Sequence, residues 1–315
     1  ERRGRSVVTG AALPEEPRGA GGAPARPSVG EDASGRRGPS ERPGRRVSSY
    51  FRLSRRELPA GPGELVHLVG RAPIDPHHRS PAGGLTTSGI VTHVDSIGGM
   101  ACGLAVLPGW IVTSTLLVRV FRPGHTGPLE VDGRVVRAGR RSATADVRVR
   151  DEGGGGVLVA TAEVTCAVLD PGSLDLDLAR PVVFDAPPAD PGGMAPEAFF
   201  CISPGGNGSA VLEVADHLRN PWGILHGGAV AALADAAATR AAVAAGAVGP
   251  VVARDAEVHY LRPVRVGPVV ARATVLGERV DGWVVEVTLR DTGVDDRVVA
   301  TAVLTVGGLS SRPPS

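Results

Sequence analysis

Along the second half of the chain the apolar residues change period several times. "SAVLEVADHL" (residues 209–218) alternates as a strand. Residues 228–245 then have helical composition and close on Gly246. Four strand-like runs follow, at 251–261, 269–276, 284–290 and 298–306, separated by the turn sequences "RPVRVGP", "GERVDG" and "DTGVDD". The first half repeats the plan, with a helix near Gly89–Ala105 and strands ending at Val168. One long helix followed by an antiparallel meander buries its apolar surface best when the sheet curls around the helix, which predicts an α+β fold. Residues 1–62 are rich in Arg, Gly, Pro, Ser and Glu without apolar periodicity and are expected to form a disordered arm. Residues 170–193 read as a Pro- and Asp-rich linker, and 310–315 as a tail.

The two halves are copies. Placing Asp95 on Asp235, an offset of 140, also aligns Pro81 with Pro221, Gly83 with Gly223 and Leu85 with Leu225. In the same register Arg122-Pro123 falls on Arg262-Pro263, Gly127-Pro128 on Gly267-Pro268, Arg150-Asp151 on Arg290-Asp291, and "VATA" at 159–162 on 299–302. Compositional chance supplies scattered Ala and Val matches, not paired Arg-Pro, Gly-Pro and Arg-Asp matches in one register. A tandem duplication follows, with units at 63–169 and 194–309 that can pack as a covalent version of a two-fold dimer.

Composition narrows the function classes. The formal net charge is +1, the basic residues are all arginine, and no excess of positive charge is clustered, which argues against nucleic-acid binding. Cys102, Cys166 and Cys201 have neither disulfide-framework nor metal-ligand spacing, so no metal site is expected and a reducing cytoplasm fits. No apolar run reaches membrane-span length and the first residues lack the apolar core of a signal peptide, although a start on Glu suggests that the chain begins further upstream.

The chemistry concentrates in "NPWGILHGGAVAALADAAA". A helix start presents unpaired N–H groups and positive dipole. Gly227 and Gly228 there let a ligand carbonyl approach the backbone, an oxyanion-hole arrangement. Asp235 lies among alanines, where a carboxylate is costly unless it faces a cleft or a partner. Each feature alone reads equally well as a turn and a satisfied core group; together, and duplicated, they point to a site.

This stretch, with "YLRP" after the next strand, resembles the hotdog-fold acyl-CoA thioesterases of the PaaI type, in the 4-hydroxybenzoyl-CoA thioesterase superfamily. The resemblance covers roughly Gly70 to Gly308 as two tandem hotdog units, more strongly in the second. It implies that the Gly227 N–H polarises a thioester carbonyl, that Asn220 and His226 place substrate or water, and that an aspartate from the other unit acts as general base or nucleophile. It also implies a hydroxyl residue ten positions before the Pro of the "RP" turn, which is Thr113 in the first copy and Ala253 in the second. The copies differ in a complementary way. The first has Ser80, Thr86 and Thr87 where the second has Asn220, His226 and Gly227, yet it keeps Asp95 and Thr113. One composite site is therefore complete: Asn220, His226 and Gly227 facing Asp95 and Thr113. The other, Ser80 and Thr87 facing Asp235 and Ala253, looks degraded.

Gly228, Trp222, Arg122 and Arg262 are further candidates for substrate contact. The two arginines either reach the phosphates of coenzyme A or, the plainer reading, cap turns beside proline. His77 and His217 match across the copies and are expected to be structural. The resemblance implies hydrolysis of an acyl-CoA or acyl-carrier thioester, with coenzyme A entering only as part of the substrate, no separate cofactor, and no nucleic-acid or membrane partner. Further pairing of pseudo-dimers stays open. Two alternatives stand beside it: an acyl-CoA-binding or regulatory module that has lost catalysis, and a hotdog dehydratase, whose Asp/His arrangement is not found.

Overall fold

The structure, a computed structural model, describes residues 46–60, 65–170, 180–189, 193–206, 208–220 and 222–308. In chain order the elements are α1 (Val47–Tyr50), β1 (Ser54–Leu58), β2 (His67–Ala72), α2 (Thr87–Ala105), β3 (Trp110–Val120), β4 (Leu129–Ala138), β5 (Ser142–Asp151), β6 (Val157–Leu169) and β7 (Val183–Phe184). They continue with α3 (Pro196–Phe199), β8 (Ile202–Pro204), β9 (Ala210–Leu212), α4 (Gly227–Ala244), β10 (Val252–Tyr260), β11 (Val269–Arg279), β12 (Gly282–Asp291) and β13 (Arg297–Gly307). The strands join in one antiparallel sheet, ordered β7-β1-β2-β4-β5-β6-β3-β10-β13-β12-β11-β9-β8. Gly308 is the last described residue, so the whole of the expected tail, 310–315, lies outside the described residues.

The centre of that sheet records the duplication. β3 and β10 pair so that Leu117 lies opposite Glu257, its own counterpart 140 residues on, and the flanking pairs are reciprocal, Arg119 with Asp255 and Thr115 with His259. A pseudo-two-fold axis passes through this pair, as an isologous contact requires. The long helices pack on the sheet and on each other. An added Cβ at Gly98 of α2 would meet Val164 and Val147, and one at Gly133 of β4 would meet Ile97, so helix and strand approach to backbone distance. Such contact explains why α2 is buried nearly all round.

The expected arm is corrected at its end. Residues 46–58 are built into the fold: Val47, Phe51 and Leu53 are buried, and β1 pairs with β2. Residues 1–45 lie outside the described residues. The same short helix and strand recur as α3 and β8. Tyr50-Phe51-Arg52 matches Phe199-Phe200-Cys201 at an offset of 149, and Arg52 and Cys201 share the left-handed φ of 54°. The equivalent rings of Tyr50 and Phe199 stack at 3.8 Å. The repeat is thus longer than the 140-residue register reveals, because the first copy carries nine more residues in its β1–β2 connection. The expected linker also contributes structure: β7 pairs with β1, and Arg180 pairs with Glu57. The predicted strand at 209–218 is shorter than its alternation suggests. β9 stops at Leu212, and Asp216–Leu218 form a 3₁₀ turn leading into the next loop.

Candidate active site

α2 and α4 meet at the start of α4, and both glycines there are needed for the approach. A Cβ on Gly227 would lie 2.7 Å from Asp95 Oδ2, and one on Gly228 would lie 2.5 Å from Thr92 Oγ1. The glycine pair thus lets the helix start reach a carboxylate of the other copy, not only a ligand. Tyr260 Oη donates to the Gly227 carbonyl at 3.1 Å and fixes the turn from β10. Burial raises the Tyr260 phenol well above its ordinary range, so it stays a donor. The Gly227 N–H has no hydrogen-bond partner among the described residues.

Asp95, on α2 and 8% exposed, sits at the centre. Thr113 Oγ1, from β3, donates to its Oδ1 at 2.8 Å. His226 is the N-cap of α4, and its Nδ1 accepts from the Gly228 N–H at 3.0 Å. That bond places the proton of a neutral imidazole on Nε2. Burial lowers the His226 pKa from its usual value, against the pull of Asp95, and so favours the neutral ring. The 3.5 Å contact between Nδ1 and Asp95 Oδ2 is therefore a proximity, and Nε2–H remains available to a ligand.

Four of the five residues predicted to form the complete site, Asp95, Thr113, His226 and Gly227, come together. Asn220 is used differently from expectation. Its Oδ1 accepts from the N–H groups of Trp222 (3.0 Å) and Ile224 (3.3 Å), so its carbonyl end shapes the loop before α4. Only its amide nitrogen lacks a partner among the described residues.

The opposite pairing is closed off. Thr87 Oγ1 donates to the Ala253 carbonyl at 2.6 Å, whereas the equivalent Gly227 has no side chain and lets Asp95 approach in the other pairing. Thr86 caps α2 by accepting from the Gly89 N–H, and Ser88 Oγ donates to Thr86 Oγ1. Asp235 is half-buried, and desolvation pushes its pKa up to about 6, although the Ser88 N–H and Thr239 favour the charged form. Ser80 keeps the loop turn, with its N–H on the Gly84 carbonyl.

The outer candidates divide. Trp222 stacks on Trp110 of the other copy at 5.3 Å, an aromatic seam that the sequence reading missed because Trp110 belongs to no motif. Arg262 Nη1 donates to the Val298 carbonyl at 2.8 Å, the bond that the turn-capping alternative calls for. Arg122 has no hydrogen-bond partner among the described residues. His217 holds the Phe199 carbonyl at 2.9 Å, a structural bond. His77 lies beside Asp75 and His78. Thr92 and Tyr260 were also missed; their only signals are one helical turn of spacing from Asp95 and the Tyr of "YLRP" on the inward face of β10.

A family model described as "Thioesterase superfamily" matches residues 89–166 and 223–302. A Haemophilus influenzae protein named "Putative esterase" is 37% identical over 81 residues, which cover 25% of this chain and 59% of that relative. The chain thus spans under two thirds of the length of the curated relative it matches. Among solved structures, "putative thioesterase II" of Thermobifida fusca has 17% identity and a TM-score of 0.54, covering 84% of this chain and 99% of that chain. The tesB protein of Mycobacterium avium subs paratuberculosis has 14% identity and a TM-score of 0.55, covering 83% and 97%. At these identities the likeness is one of fold.

Proposed function

Because the chain belongs to the thioesterase superfamily, we propose that it hydrolyses acyl thioesters, coenzyme A esters foremost, at a single site shared between two hotdog units that form a covalent pseudo-dimer. The observation that carries this reading is the approach of Asp95 and its Thr113 donor to the unpartnered N–H at the start of α4.

The thioester carbonyl oxygen accepts from the Gly227 N–H at the positive end of the helix dipole. His226 Nε2–H stands at the same mouth to hold the substrate. Asp95, oriented by Thr113, takes a proton from water as it attacks the carbonyl carbon and returns it to the departing thiolate. General-base catalysis of this kind contributes about 10²–10⁴-fold, and loss of one oxyanion donor costs about 10²–10³-fold. Asp235 is given no such role, because its side of the pairing has Thr87 in place of the helix-start glycine and Ala253 in place of the hydroxyl.

Free-thiol release from a panel of acyl-CoAs tests the reading. Asp95→Asn is expected to lose at least about 100-fold in kcat, while Asp235→Asn keeps activity within about threefold, since it removes no reacting group. Equal losses in the two variants, or a larger loss in Asp235→Asn, would overturn the single-site assignment. Saturable binding of acyl-CoA with no thiol released would mark a binding module instead.

A further inference from the structure

Outside the catalytic cleft, the loop between β2 and α2 gathers Asp75, His77 and His78. Their ligand-capable atoms all lie within 4.8 Å of one another. We propose that Asp75, His77 and His78 form a binding site for a zinc-class divalent metal ion.

His78 carries the argument. It is 0% exposed, and neither ring nitrogen has a hydrogen-bond partner. An unpaired buried polar group is costly, and the fold does not require one here: the equivalent residue of the second copy is Leu218, also 0% exposed. Asp75 likewise corresponds to Ala215, whereas the histidine His77 is shared with His217. The first copy thus carries a carboxylate and an imidazole around a histidine that both copies possess, and the second copy shows the same loop folding without them.

The donor set suits the ion. Two imidazoles and a carboxylate match zinc, which takes three protein ligands and leaves a fourth position open at catalytic or exchangeable sites. Ligands about 2.0–2.2 Å from zinc stand about 3.4 Å apart in a tetrahedron, so side-chain rotations of about 1 Å close the trio. The carboxylate is already oriented: Arg52 Nη1 donates to Asp75 Oδ1 at 3.1 Å and to Oδ2 at 3.3 Å, the kind of outer contact that holds metal-ligating carboxylates. Each oxygen keeps a lone pair for a metal.

The test is titration of the full chain, stripped with a chelator, with zinc chloride by calorimetry and with cobalt(II) by visible absorption. One zinc per chain is expected at micromolar or tighter affinity, with a cobalt spectrum of low coordination number. His78→Leu, which installs the residue of the second copy, should keep its fold and melting temperature yet bind at least about tenfold more weakly. His77→Ala, at a half-buried position, gives the same reading should His78→Leu fail to fold. The absence of saturable binding to the unaltered chain, or unchanged affinity in these variants, overturns the site.

Discussion

Single side chains carry opposite electrostatic signatures in this molecule. Asp235 has its pKa raised to about 6 from 3.8, by burial first. A carboxylate raised on folding destabilises the fold progressively as pH climbs from its unfolded value to its folded one, so Asp235→Asn should raise the melting temperature at pH 8 and leave it unchanged near pH 4. A shift of this size corresponds to about 1–3 kcal/mol. His93 runs the other way. It is buried with both ring nitrogens unpartnered, and burial lowers it to about 3. Its contribution to stability is lost as pH falls below the ordinary 6.5, where the unfolded chain takes up the proton. The second copy has Leu233 at this position. His93→Leu is therefore expected to stabilise by about 1–3 kcal/mol, with a gain that grows between pH 6.5 and pH 4 in thermal melts. Gly227→Ala should fold yet lose at least tenfold in kcat, since its Cβ would meet Asp95 Oδ2. Near-normal turnover in that variant would count against the helix start as the reacting surface. His226, Gly227 and the repeated aspartates were legible in the sequence, because a helix start and a spaced carboxylate are local patterns, whereas Thr113 and the pairing of Asp95 with the other copy's helix start came from the family resemblance. The use of Asn220 in the loop, and the parts played by Thr92 and Trp110, depend on which residues two helices and two strands bring into contact, and spacing does not encode that.

At the level of elements, the helices and the strands following them were readable from period, and their observed bounds lie within a few residues of expectation. What the pattern hid was α1 with β1. Their apolar residues are few, they lie beside a charged run, and the extra residues of the β1–β2 connection break the 140-residue register. The short helix nevertheless places Phe51 in the core at 1% exposure. Phe51→Ala should cost about 3–5 kcal/mol, read from denaturant unfolding, whereas a change confined to a disordered arm would cost nothing. β9 shows the converse error: alternation continues past Leu212, but Asp216–Leu218 turn into a 3₁₀ segment because the chain must reach the start of α4.

Across the whole molecule, the proposed site divides labour between the two copies. The first supplies Asp95 and Thr113, and the second supplies the helix start with His226 and Gly227. On that proposal each half needs to keep only one side of the pairing, which accounts for Thr87 standing where the second copy has a glycine and Ala253 where the first has a hydroxyl. The reciprocal β3–β10 register, with Leu117 opposite Glu257, also sets how the site responds to dilution. An enzyme assembled from separate subunits loses its shared sites once its concentration falls below the dissociation constant. Here the partners are tethered, at an effective concentration of about millimolar. Turnover per molecule is thus expected to stay constant down to picomolar protein, so that each chain, however far from any other, carries its whole site with it.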